Sequence, residues 1–539
     1  MKKLLIYGFG CILLYACNNN EGGKGSKAES EKKVSKRDDS ITTANSYSDL
    51  FLDSMEMEKF ITEEQLNDSI SRRMRSFYNT RNYQFAWFSS DGLTEQAHGF
   101  WNLHDYVTTY DNDTTLKDKA LQKRMDALIS EGELSVSASP SFKKTELTLT
   151  QHFIMYMLNN FEKGYVKRKE MERFIPFKKQ DAMYLADSLL TKKHKDDKYF
   201  EDVNEPYRLL KDQLSFYYNI AKQGGWPEIN TSKKTFRKGS RDPVLGVIKK
   251  RLQITGEMPG NDTTHIFNDS LENAVRVYQQ RMGYNPDGII NSTLIKDMNV
   301  PVAQRVKQLL MNMGRMRWMP SASNGKLIVV NIPEFKLHMY EGKQKAFEMV
   351  VVVGKEGHNT MMFNGDLNQI VFSPYWNVPP SIVKNEILPA MASNPGYLDG
   401  QNMEITDSDG ALPTIRQRPG PGNSLGKVKF LFPNSFNIYF HDTPSKSLFE
   451  RDKRAFSHGC IRLEEPEKMA NYLLRDSPEW TPERINAAMN AGTEKYVKLK
   501  DPVPVVITYY TSWVDENGQL NFRDDVYDHD KKLADKMFL

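Results

Sequence analysis

The sequence changes texture at Lys326, and no single-layer, single-core fold accommodates both sides of that boundary. Upstream, from about residue 50, apolar residues recur at three- and four-residue spacing. Leu147-Thr148-Leu149 through Phe161 and Tyr207 through Ala221 are examples, and this is the period of amphipathic helices. Downstream come short β-branched runs parted by Gly, Pro and charged turns: Leu327-Ile328-Val329-Val330-Asn331, Lys336-Leu337-His338-Met339-Tyr340 and Met349-Val350-Val351-Val352-Val353. A stretch rich in Pro, Gly and Asn, with some helix, occupies about 374–425. Strands return at Val428 to Phe432, Asn437 to Phe440 and Val503 to Tyr510. The expectation is a multidomain α+β protein, and 539 residues exceed one ordinary core. The net charge of +4 is small and spread over many groups, so no nucleic-acid partner is expected.

The N-terminus carries its own signal. Lys2 and Lys3 precede a mostly apolar run, Leu4 to Ala16, too short to span a bilayer as a mature helix. It ends at Leu14-Tyr15-Ala16-Cys17, which resembles a lipobox, the cleavage and acylation site of bacterial lipoproteins. A plain secretory signal with an incidental Cys17 is the other reading. Asn18-Asn19-Asn20 and a polar stretch follow at once, so the expectation is a lipoprotein signal peptide over 1–17, lipidated at Cys17. A flexible tether over 18–48 then leads away from the membrane. Of the three cysteines, Cys11 leaves with the signal and Cys17 is acylated. Cys460 is then the one free thiol of the mature chain. An exported protein with one thiol cannot form an internal disulfide, so that thiol needs another reason to be there.

Residues 49–240 read as a helical scaffold domain whose last helix stops at Gly224-Gly225-Trp226-Pro227. No catalytic constellation stands out in it. Residues 241–300 read as a compact helical unit: Asp242 to Leu252 forms one helix, and Asn268 to Met282 another with Leu271, Ala274, Val275 and Tyr278 on one face. Asp287-Gly288 supports a turn, and Asn291 or Ser292 caps a third helix. This resembles the three-helix peptidoglycan-binding domain through Ala274, Val275, Tyr278, Gln279, Gly283, Asp287, Gly288 and Thr293, with Tyr278 where that family often has Phe. A linker helix over 301–324, a mostly β catalytic domain over 325–512 and a C-terminal tail over 513–539 complete the expected organisation.

The chemistry concentrates at Ser457-His458-Gly459-Cys460-Ile461-Arg462, with His441 nineteen positions before Cys460 at the end of the strand Tyr439-Phe440. A thiol attacks carbonyls as thiolate, so it needs a base and a positive surrounding. His441 can take the proton, and Arg454, Arg462 and Lys429 can add positive potential. Gly459 lets the backbone approach the reacting carbonyl, and neighbouring N–H groups can stabilise an oxyanion. Two other readings stand beside this one. Cys460 can be a buried structural thiol, or His441, His458 and Cys460 can ligate zinc. The chain has no CxxC, HExxH or HxH spacing, so no metal is expected. Histidines 98, 104, 194, 265, 358 and 529 sit in polar contexts and are expected at the surface; His152 and His338 are expected in packing or at the surface.

At these residues the chain resembles the L,D-transpeptidases, whose signature is a histidine, a gap of under twenty residues and then Ser-His-Gly-Cys. The resemblance extends to Val353-Gly354-Lys355, Pro374-Tyr375-Trp376-Asn377-Val378-Pro379, Glu386-Ile387-Leu388-Pro389, Gln417-Arg418-Pro419-Gly420-Pro421-Gly422-Asn423 and His441-Asp442-Thr443-Pro444. It points to the large periplasmic subfamily with an N-terminal scaffold, a peptidoglycan-binding domain and a substrate-capping helical insertion. What it implies is a cysteine acyltransferase without cofactor or metal. Cys460 is the nucleophile and His441 its base. Ser457, His458 and Gly459 line the oxyanion and substrate site, Arg462 holds substrate or loop, Tyr439 lines the pocket, and Trp376 and Asn377 close over the donor. The partners implied are peptidoglycan stem peptides, as donor tetrapeptide and acceptor amine, together with cell-wall synthesis proteins. The location implied is the periplasm, lipid-anchored, with Asn18 favouring the outer membrane. An L,D-carboxypeptidase or other cysteine hydrolase of peptidoglycan, and a non-catalytic wall-binding lipoprotein, are the rival readings.

Overall fold

The computed structural model describes residues 34–110, 113–130, 135–161, 175–191, 205–320, 325–408 and 410–539. Cys11, Cys17 and the rest of the expected signal peptide, the tether up to residue 33, and His194 lie outside the described residues. Among the described residues no helix is long and apolar enough to cross a membrane.

Helices α1 (Ser54–Glu63) and α2 (Asp68–Thr80) start at side-chain caps, Asp53 accepting from Met55 N and Asn67 from Ser69 N and Ile70 N. With α3 (Glu95–Tyr110), α4 (Lys119–Ser130) and α5 (Pro140–Phe161) they enclose an aromatic core of Phe77, Tyr78, Trp87, Phe100 and Phe153. A buried carboxylate organises its centre. Glu146 accepts from Ala86 N at 2.7 Å, Trp87 N at 3.0 Å and the Tyr78 hydroxyl at 3.0 Å, replacing the water it has lost. His104, expected at the surface, is buried instead. Its ring stacks on Trp101 at 4.7 Å and its Nε2 meets His152 Nδ1 at 3.0 Å, because α3 turns that face into the core. The far end of the expected tether is not free either. Ile41 and Tyr47 are buried, and Asp38 N donates to Asn79 O at 2.9 Å, so residues 34–48 are seated on this helical unit.

The expected 49–240 scaffold divides at its second half. Helices α6 (Ala182–Thr191) and α7 (Glu205–Lys222) bury their apolar faces with α8 (Val244–Ile254), α9 (Asp269–Met282), α10 (Ser292–Met298) and α11 (Val302–Met316) in one core. The caps are local: Asn268 opens α9, Gly283 closes it in the left-handed region, and Asn291, not Ser292, caps α10 through Leu294 N. The polar tip of buried Tyr278 donates to Asp297 Oδ2 at 2.7 Å. Helix α11, expected as a linker, carries Leu309, Leu310 and Met313 into this core. Trp318 just beyond it inserts into the aromatic core of α1–α5, its Nε1 donating to Gln96 Oε1 at 2.7 Å.

The strand-textured half forms β1 (Lys326–Asn331), β2 (Lys336–Glu341), β3 (Gln344–Gly354) and β4 (Asn364–Phe372). Beyond the insertion come β8 (Val428–Leu431), β9 (Phe440–His441), β10 (Ala455–Ser457), β11 (Ile461–Leu463) and β12 (Lys495–Thr508). The pairing order β3-β11-β9-β8-β4-β12-β1-β2 returns to β3, so eight strands close on themselves and leave no open edge. β10 adds in parallel to the end of β3. Ile328, Val330, Leu337, Met339, Val351 and Val353 fill the interior, each contributing about 1.5–3 kcal/mol on burial. Leu327 and Val329 on the opposite face of β1 are buried too, which is why that strand does not alternate. Between β4 and β8 the insertion folds around its own small core. Its strands β5 (Trp376–Asn377), β6 (Met403–Asp407) and β7 (Thr414–Gln417) and the helical run 380–393 enclose Val378, Ile382, Val383, Ile387, Met403 and Ile415.

Residues 513–539 are not a tail. Beyond α12 (Pro466–Leu474) and α13 (Pro482–Met489), which pack on the barrel core, the hairpin of β13 (Ser512–Val514) and β14 (Leu520–Phe522) and the last helix α14 (His529–Met537) bury Leu520, Phe522, Leu533 and Phe538 in the α6–α11 core. The tie between units is Arg315 near the end of α11. Its Nε donates to Glu95 Oε1 at 2.7 Å at the start of α3, and its Nη1 to Asp530 Oδ1 at 2.5 Å in α14. All three side chains are largely buried. Removing one member of such a group strands the others without water. Arg315→Ala is therefore expected to cost about 3–5 kcal/mol in chemical denaturation. A loss under about 1 kcal/mol, the size of an exposed pair, would show that the carboxylates are solvated.

Candidate active site

β9 and β11 run parallel, with Phe440 opposite Ile461 and His441 opposite Arg462. Phe440 and Ile461 point into the barrel core. Alternation then sends Tyr439, His441, Cys460 and Arg462 to the other face together. Cys460 stands beside Tyr439 and diagonal to His441. On the far side β8 pairs with β9 so that Lys429 lies opposite His441. Lys429, His441 and Arg462 form a row across three strands, with the thiol next to its end.

His441 is buried, and its Nδ1 lies 2.5 Å from Asp442 O. A carbonyl only accepts, so Nδ1 carries the proton and Nε2 is left to take one. The carbonyl is itself fixed: Asp442 N donates to Val428 O, and the Asp442 carboxylate accepts from Lys427 N at 2.9 Å, Thr443 N at 2.7 Å and Lys446 Nζ at 2.8 Å. Burial, and then the Arg462 charge, push the His441 imidazole down to about 3, so it is neutral at rest. Burial also raises the Cys460 thiol above its ordinary value, against the opposing pull of Tyr439 and Arg462. The thiol donates to Asn437 O at 3.6 Å. Both members of the pair are uncharged until something arrives to move the proton.

The loop that holds the thiol is braced from behind. Ser457, expected to line the substrate site, is buried; its hydroxyl donates to Cys460 O at 2.5 Å and accepts from Gly459 N at 3.2 Å. Ser457 therefore shapes the loop, and it takes the Gly459 N–H away from any oxyanion. The Cys460 N–H has no acceptor among the described residues, which leaves it able to donate to an oxyanion. Gly459 is required by its φ of 111°, a conformation that residues other than glycine rarely adopt. Thr360, which sequence reasoning missed, and Tyr527 complete the brace. Thr360 Oγ1 donates to Gly459 O at 2.7 Å and accepts from Gly354 N at 2.9 Å. The Tyr527 hydroxyl donates to Gly354 O at 2.6 Å. Tyr527 lies in the stretch read as a tail, in the run Asp525-Val526-Tyr527 that also fits the family resemblance.

His458 turns from the thiol to the insertion. Its Nε2 lies 3.0 Å from Glu386 Oε1, and its ring packs on His358 with centroids 4.9 Å apart. Glu386 is the insertion's contact with the nucleophile loop. Trp376 packs into the insertion's own core, and Asn377 is exposed where β5 pairs with Arg416. Neither is hydrogen-bonded to Cys460 or His441 among the described residues. Among those residues, no group of three or more His, Cys, Asp or Glu is arranged to hold a metal ion.

Residues 325–507 match the model of the L,D-transpeptidase catalytic domain, 72–214 that of a scaffold domain and 241–298 that of a candidate peptidoglycan binding domain. A curated relative from Haemophilus influenzae, described as a candidate L,D-transpeptidase, is 32% identical over 282 residues. That match is 50% of this chain and 55% of the relative, so the chain spans about half that relative's length. Among solved structures, an L,D-transpeptidase from Mycobacterium smegmatis is 14% identical, covering 35% of this chain and 60% of that one with a TM-score of 0.19. One from Stackebrandtia nassauensis is 12% identical, covering 52% and 97% with a TM-score of 0.23.

A neutral resting pair has a kinetic signature. The rate of Cys460 alkylation by iodoacetamide is expected to climb with pH up to and beyond about 9, the ordinary thiol value, because burial raises the group above it. A rate that levels off below neutrality would mean a standing thiolate–imidazolium pair and would contradict this assignment.

Proposed function

The chain carries an L,D-transpeptidase catalytic domain beside a peptidoglycan-binding domain, and from that premise we propose that it joins peptidoglycan stem peptides through a thioester on Cys460. The observation that carries the reading is the shared face of Tyr439, His441, Cys460 and Arg462, with the free nitrogen of His441 fixed as Nε2 by the Asp442 carbonyl. Cys460 Sγ attacks the carbonyl carbon of the third stem residue, the diamino acid, and its proton passes to His441 Nε2. The oxyanion faces the Cys460 N–H. As the C–N bond breaks, the departing D-alanine amine takes the proton from His441 and the thioester remains. The side-chain amine of a second stem then attacks, His441 accepts its proton and returns it to the sulfur, and two third-position residues are linked. One amide is broken and one formed, so the steps balance without a cofactor. Water in place of the amine makes the same site an L,D-carboxypeptidase.

Intact-mass spectrometry with a stem tetrapeptide and an added amine tests this reading. Wild type is expected to give a transient adduct, free D-alanine and a joined product. Cys460→Ala gives none of these, and His441→Gln slows acylation by about 10²–10⁴-fold. D-alanine without joining would make the protein a carboxypeptidase. Neither adduct nor D-alanine, with sacculus binding retained, would make it a wall-binding lipoprotein.

The proposal extends to location. Acylation at Cys17 would hold the enzyme on the periplasmic side of a membrane, the outer one favoured, within reach of the wall and of the proteins that build it. Labelling with a radioactive fatty acid is expected for wild type and absent for Cys17→Ser; equal labelling of the two would overturn the anchor.

A further inference from the structure

Charged side chains taken out of water are paired, and the most deeply buried arginines around the α6–α11 core follow the rule. Arg281 meets Glu257, Arg305 meets Asp297, Arg315 meets Glu95 and Asp530, and Arg251 donates to Met298 O and Thr255. Arg462 departs from it. The side chain is part-buried and its Nε is fully shielded from solvent, yet no nitrogen of its guanidinium has a hydrogen-bond acceptor or an ion-pair partner among the described residues. Burial lowers its affinity for the proton. Lys429, the other cation of the row, is engaged by Glu494 at 3.6 Å and by Tyr375 O at 3.4 Å. Arg462 is thus the cation of this face that still lacks an anion.

Its place on the sheet says where that anion sits. Arg462 lies two residues beyond Cys460 on one strand face, about 6.6 Å along it, and directly opposite His441. His441 must reach the nitrogen of the leaving residue to return its proton. The leaving residue therefore sits at the His441–Arg462 end of the site, and the other polar group on that small residue is its α-carboxylate. We propose that Arg462 binds the free carboxylate of the leaving D-amino acid and so selects donors whose chain ends one residue after the scissile bond. This rests on the transpeptidase reading above. A guanidinium fork matches a carboxylate with two parallel N–H bonds, which neither a terminal amide nor a longer stem reproduces. The anion also remains through acylation and departs with the leaving amine, restoring an unpaired Arg462 for the next donor.

The test compares the stem tetrapeptide with its C-terminal amide, which keeps every atom of the scissile bond and removes only the charge. With the full-length protein, kcat/KM for release of the last residue is expected to favour the acid by on the order of ten- to a hundredfold, the size of a charge-assisted hydrogen bond. Arg462→Gln should bring that ratio close to one, and Arg462→Lys should restore part of it. Wild type turning over acid and amide equally well would overturn the assignment without recourse to any variant. So would Arg462→Gln slowing both substrates by the same factor, which would mean that the arginine acts through the thiol. Release from neither substrate by wild type would instead defeat the transpeptidase reading itself, a distinct outcome.

Discussion

Two short parallel strands carry the chemistry, and their register is the constraint to which the site answers. Phe440 and Ile461 are locked into the barrel interior by burial. A side-chain period of two leaves Tyr439, His441, Cys460 and Arg462 no choice but the opposite face. A slip of one residue in β11 would put the thiol into the core and Ile461 into the site, and one in β9 would exchange His441 and Phe440 in the same way. Closure of the eight strands protects against that slip, because β9 and β11 are held on both sides, by β8 and by β3. The catalytic geometry is in this sense a by-product of packing Val, Ile and Phe.

The loop before the nucleophile depends on atoms far away in sequence. Ser457, Gly459, Thr360, Gly354 and Tyr527 form one connected set of hydrogen bonds ending at the Cys460 carbonyl. Tyr527 is in turn held through its N–H by the Tyr509 hydroxyl at 2.8 Å. The segment that supplies Tyr527 continues into α14, whose Asp530 is tied to Arg315 and Thr511. Arg315 also reaches Glu95 of the helical unit. A chain of short polar contacts therefore runs from the aromatic helical domain to the thiol. It gives the multidomain arrangement a structural consequence at the site, beyond bringing a wall-binding unit near.

What the sequence made legible were features with local rules. The Ser457-His458-Gly459-Cys460 run and His441 stood out because thiol chemistry needs those groups. The three helices around Tyr278 stood out because caps and turns at Asn268, Gly283, Asp287 and Asn291 obey short-range preferences. The misreadings arose where long-range packing decides. Residues 34–48 and 513–539 are polar enough to read as tether and tail, yet Ile41, Tyr47, Phe522 and Leu533 each find a groove made by distant helices. Helices α6 and α7 share the periodicity of α1–α5, and periodicity alone does not say which core a helix joins. Ser457 reads as a site residue by its neighbours, whereas its hydroxyl faces the loop's own backbone.

Electrostatics explain why such a thiol need not be reactive on its own. A thiolate held ready invites oxidation and adventitious acylation. Here burial works against charge on both Cys460 and His441, while hydrogen bonding with Tyr439 and the Arg462 charge work for it on the sulfur. The two influences oppose, and the balance is open to change by a ligand. In the proposed reaction, a donor stem that covers the site and occupies Arg462 would bring a carbonyl to accept the sulfur's electron pair as His441 takes the proton, so no free thiolate has to persist. The insertion adds to this through Glu386, whose contact with His458 ties the cap to the residue two places before the thiol. On that proposal reactivity belongs to the site with its donor in place, while burial favours the protonated thiol at rest.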